Sequence, residues 1–121
     1  MQPTAFEQLV LDVVENLPAQ FVRYLTNVDI LVEPHCTAQH RAELELEPDD
    51  VVYGYYEGVP ITERAAGELV PPDVIVIFQD SLEADFPDPV ALRAEVRRTV
   101  LHEIAHMFGI SDDRLEELGA Y

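Results

Sequence analysis

Between Asp88 and Gly109 the sequence spells out a long helix with both ends marked. Asp88 and Pro89 stand where an N-cap and a first helical residue belong. An aspartate side chain accepts a free first-turn N–H, and proline has no N–H to lose there. Leu92, Val96, Val100, Ile104 and Met107 recur at helical spacing, and Gly109 suits the left-handed turn that closes a helix. On this helix residues 102–106 read His-Glu-Ile-Ala-His. At about 100° per residue, positions four apart differ by about 40° around the axis, so the two imidazoles project side by side one turn apart. Counted from position 92, these apolar positions cover about 0° to about 120°, and the histidines fall at about 280° and about 320°. They lie off the core stripe, and Glu103, at about 20°, borders their side.

Two imidazoles one turn apart suit two ligands of one metal ion, and a carboxylate beside them can take a proton from a metal-bound water without being a ligand. With 4 histidines in 121 residues, random placement produces the pattern about once in seventy such chains. The competing reading is a pair of surface histidines favoured by the dipole at a helix end. A four-coordinate catalytic site takes three protein ligands and leaves one position for water. Asp112 is the best-placed third ligand, because Gly109 lets the chain leave the helix in left-handed geometry and three residues suffice to bring a carboxylate back over the histidines. Asp113 is its close rival, Glu116 and Glu117 more distant ones. Asp112 also suits the first turn of a final short helix, a role compatible with ligation.

The rest of the chain alternates helix and strand signals. Thr4 with Glu7 forms a capping-box signature ahead of Phe6, Leu9, Val10, Val13, Val14 and Leu17 at helical spacing. Pro18 breaks that helix and starts a short one to Tyr24. Val28, Ile30 and Val32 alternate with Asp29, Leu31 and Glu33 as a strand, which Pro34 ends. Residues 35–50 are polar and acidic, a loop with a helical turn at Ala38–Leu44. Val51–Tyr56 reads as a second strand, closed by Gly58 and Pro60, and Val74–Phe78 as a buried third. Ser111 can cap a last helix, Asp112–Leu118.

Composition bounds the function. The chain has the length of one domain, read as residues 1–121, and no segment is long and apolar enough to span a membrane. Its start lacks the basic residues of a secretory signal, so the cytoplasm is expected. The lone Cys36 cannot form an internal disulfide. Acidic residues number 24 against 7 basic ones, for a net charge of -17. Such a surface repels phosphate backbones and anionic membranes, so no nucleic-acid or membrane partner is expected.

The motif His102-Glu103-x-x-His106-x-x-Gly109-x-x-Asp112 resembles the extended zinc-binding motif of zincin metallopeptidases in which aspartate replaces the third histidine of metzincins. Segments 55–64 (YYEGVPITER) and 97–119 (RRTVLHEIAHMFGISDDRLEELG), with the helical start, resemble small bacterial zincin-like metallopeptidases, the minimal zincins. The resemblance spans nearly the whole chain, with its specific motifs in the second half. It implies an α+β fold, in which a small sheet of three to four strands packs on the N-terminal helix and the long metal-binding helix. It also implies Zn2+ as cofactor, His102, His106 and Asp112 as ligands, and Glu103 as general base. Only Met107–Tyr121 follows His106, so neither a metzincin Met-turn nor a lower subdomain is expected, and a peptide would be held weakly without that second wall.

Among other residues, Tyr53, Tyr55 and Tyr56 cluster on the second strand, where a phenol can polarise a scissile carbonyl or the strand edge can pair with an extended peptide. Sheet packing competes with that role, and Tyr56, beside the turn, is the foremost candidate for substrate binding. Arg64 can pair with the site's carboxylates or with any surface acid. His35, Cys36 and His40 offer ligands for a second metal, against the plainer reading of an acidic loop. The leading expectation is a zinc hydrolase cleaving a peptide or amide, with a protein partner or a second copy completing the cleft. The alternative is a zinc-stabilised module whose acidic face binds a partner protein. A metal-dependent nuclease fits the charge least.

Overall fold

A computed structural model describes residues 4–22, 25, 28–58 and 73–117, apart from the side chains of Gln20, Val22, Met107, Asp112, Leu115 and Glu116. The chain opens with α1 (Ala5–Glu15), whose start is the capping box read from sequence: Glu7 N donates to Thr4 Oγ1 at 3.1 Å and Thr4 N donates to Glu7 Oε1 at 3.0 Å. Phe6, Val10 and Val13 form its buried face, each worth roughly 1.5–3 kcal/mol on burial. After α2 (Ala19–Val22) come β1 (Val28–Glu33), α3 (Ala38–Glu43), β2 (Gly54–Glu57) and β3 (Asp73–Phe78). The helices α4 (Gln79–Asp85), α5 (Pro89–Phe108) and α6 (Asp112–Glu117) follow.

The three strands form one mixed sheet in the order β1-β3-β2, parallel between β1 and β3 and antiparallel between β2 and β3. The architecture is α+β, as expected. On one face Ile75 and Ile77 join Val28, Ile30 and Val32 in the core shared with α1 and α5. On the other, Tyr55 stacks on Phe78 at 5.8 Å between ring centroids, and His40 of α3 meets Phe78 edge-on at 5.0 Å.

Helix α5 is the centre of the molecule, in contact with α1, α4, α6, β2 and β3. Its ends are as the sequence indicates. Ala91 N donates to Asp88 Oδ2 at 3.0 Å, and Gly109 adopts φ 66°, ψ 28°. Ile110 N then donates back to Ala105 O at 2.8 Å, closing the C-terminus. Its buried arc is broader than the predicted stripe, because Leu101 and Ala105 are buried as fully as Val96, Val100 and Ile104. Neighbours on several sides leave only a narrow solvent strip, and the histidines lie along it. Arg93 Nη1 reaches Asp12 Oδ2 at 2.8 Å and ties α5 to α1.

Two elements differ from the sequence reading. Strand β2 begins at Gly54 rather than Val51, which is 62% exposed and lies outside the ladder. Helix α4 was not expected: it leaves β3 directly, with no side-chain cap on Phe78 and only Leu82 buried, so it shows neither a start signal nor a stripe. The final helix is present over Asp112–Glu117, with Ser111 Oγ accepting from Arg114 N at 3.2 Å, and the expected end at Leu118 lies outside the described residues. Among the described residues no helix is long and apolar enough to cross a membrane.

Candidate metal centre

The site lies where the last two turns of α5 pass beneath β2. His102 is partly buried, its Nε2 shielded from solvent, while the His106 side chain is 72% exposed. Glu103 is buried at 8% exposure, a costly place for a carboxylate. Its Oε2 lies 3.4 Å from His106 Nδ1, too long for a good hydrogen bond, and this buried oxygen makes none among the described residues. Burial pushes the Glu103 carboxyl above its ordinary value, against the opposing pull of His106 and of a hydrogen bond from the Tyr56 main chain. A carboxyl raised in this way holds a proton more readily than an exposed one.

A cleft of about 260 Å³ opens beside these groups, between Tyr53 and Gly54 of the β2 segment and the α5 surface from Glu95 to Glu103. Glycine at 54 permits the close approach. A Cβ there would stand 2.6 Å from Val76 O and 3.0 Å from Thr99 Cγ2. Arg98 and Glu95 line the same cleft, 3.6 Å apart.

The remaining candidates are dispersed. Asp112 is the first residue of α6, three positions beyond the Gly109 turn, but its side chain lies outside the description, as does that of Glu116. Asp113 is exposed, and Glu117 pairs with Arg114 at 3.0 Å. Arg64 falls outside the described residues. Tyr55 is on the sheet face away from α5, its phenol pushed up by burial and then by Glu57, Glu43, Glu33 and Cys36. Tyr53 reaches Asp85 Oδ2 at 2.6 Å and Tyr56 reaches Asp73 Oδ1 at 2.7 Å. His35 Nδ1 contacts Asp80 at 2.6 Å, whereas His40 Nδ1 accepts from Thr37 N at 3.0 Å, and Cys36 is a free thiol. Among the described residues no three His, Cys, Asp or Glu side chains converge as a metal cage. Sequence reasoning missed the parts played by Gly54, Asp73 and the Tyr56 main chain. Strand pairing sets all three, and no local pattern announces them.

The donor set fits zinc. Neutral imidazoles one helical turn apart are ordinary zinc ligands, and the buried Glu103 oxygen faces the same strip, where a metal-bound water would give it a partner. The family described as zincin-like metallopeptidase has a model that matches residues 25–120. None of the curated proteins matches the chain.

Proposed function

The chain belongs to the zincin-like metallopeptidase family, and from that premise we propose that it is a zinc-dependent hydrolase cleaving a peptide or amide bond. The observation that carries this reading is the buried Glu103 carboxylate, one oxygen of which lacks a hydrogen bond among the described residues, on the same helix as two histidines one turn apart. His102 and His106 would hold the ion with Asp112 as third ligand. When bound, zinc supplies a water whose pKa falls toward ~7 and an electrophile for the carbonyl oxygen. Glu103 accepts the proton of the attacking water at its carboxylate and returns it to the leaving amine. Burial of Glu103 favours both directions, because it brings the carboxyl's proton affinity closer to that of the groups it exchanges with. The cleft beside Gly54 would take a small substituent next to the cleaved bond, with an extended peptide along β2.

Glu103→Gln tests the assignment. It should keep zinc and lose at least ~100-fold in turnover of a peptide library; a variant as fast as the parent would remove Glu103 from the mechanism.

The net charge of -17 favours a second reading, a cytoplasmic zinc-stabilised module that binds a basic partner protein and turns over nothing. In that case zinc is tightly held, the library stays intact, and a recovered partner dissociates as salt rises.

A further inference from the structure

Strand β2 pairs with β3 through alternate residues. Phe78 N donates to Tyr53 O at 2.8 Å, and the register sets Tyr55 opposite Val76, so Tyr53 and Tyr55 turn their main chains toward β3. In an antiparallel ladder the intervening residues, Gly54 and Tyr56, then direct N–H and C=O away from β3. Gly54 sits against Thr99 of α5. Two residues of strand advance about 6.6 Å and four residues of helix about 6 Å, which brings Tyr56 level with Glu103. The Glu103 carboxylate accepts a hydrogen bond from the Tyr56 main chain.

The far end of Tyr56 is fixed independently. Its phenol donates at 2.7 Å to Asp73, a carboxylate only 4% exposed at the start of β3. Gly58, at φ 151°, covers that bond: a Cβ there would overlap Asp73 Oδ1 and lie 2.8 Å from the phenol oxygen. Phenol, carboxylate and glycine together clasp the outgoing end of β2.

We infer that Tyr56 is a positioning residue for Glu103: the clasp with Asp73 holds the Tyr56 N–H where it orients the carboxylate, and the phenol is an anchor, not a substrate ligand. The inference rests on the hydrolase reading of Glu103 and deepens it.

Amide hydrogen exchange resolved by residue tests the arrangement without relying on turnover. Glu103→Ala should speed exchange at the Tyr56 amide about tenfold while the Ile75 and Ile77 amides stay slow. Tyr56→Phe and Asp73→Leu should do the same. Asp73→Asn, which keeps an acceptor oxygen for the phenol, should retain the protection. A Tyr56 amide equally slow in Glu103→Ala overturns the inference, as does a rise spread evenly through β3 in Tyr56→Phe. In steady-state assays Tyr56→Phe should lower kcat with KM and zinc content unchanged; a rise in KM alone would return the phenol to substrate binding. Failure of the hydrolase reading shows separately, as undiminished hydrolysis by Glu103→Gln, and leaves the exchange result standing.

Discussion

Tyr53 carries a pH dependence of its own. The hydrogen bond to Asp85, then burial, pushes its phenol from 10.0 up to about 12. A raised value means that the folded state favours the protonated phenol. The stability this supplies is complete below pH 10 and is lost as pH rises through about 12. Tyr53→Phe should therefore lower the urea midpoint at pH 9 and lose most of that deficit by pH 12, and a phenol ionising at about 12 should disappear from an alkaline absorbance titration. An unchanged titration curve would place the late phenol elsewhere. Single residues differ in how legible they are. His102, Glu103 and His106 follow from helical period alone, because five consecutive residues set their geometry. The pairing of Tyr56 with Asp73 spans 17 positions and depends on strand register, which nothing local in the sequence encodes.

The approach of β2 to α5 depends on a position without a side chain. Gly54→Ala would push a methyl group against Val76 O and Thr99 Cγ2, and overpacking of this kind costs about 1–3 kcal/mol. Thr99→Ser should not rescue it, since the backbone oxygen remains; full rescue in a denaturation experiment would mean that the helix, not the strand, sets the spacing. The legible elements are those with chemical punctuation: α1 through its Thr4–Glu7 box, α5 through Asp88, Pro89 and Gly109, and α6 through Ser111. Where punctuation fails, so does the reading. Helix α4 has one buried residue and no side-chain cap. The start of β2 shifts because its β-branched leader, Val51, stays in solvent.

Across the whole molecule, the sheet and α1 wrap a helix whose free strip carries the two histidines, so the core and the candidate site are built from the same twenty residues of α5. The resemblance to zincin-like metallopeptidases implied the α+β architecture, and the changing periods of the sequence placed most of its helices and strands. The order β1-β3-β2 was not legible, because it arises from long-range pairing. An ion shared by α5 and the segment after Gly109 would tie the C-terminal turn to the core, so its binding contributes to folding free energy. The most direct test is the metal content of protein purified without added metal, measured by elemental analysis with thermal melts for the parent, His102→Ala and Asp112→Ala. The zinc reading predicts about one zinc per chain in the parent, lost from both variants along with part of their thermal stability; a metal-free parent, or a His102→Ala variant with undiminished zinc, would contradict it.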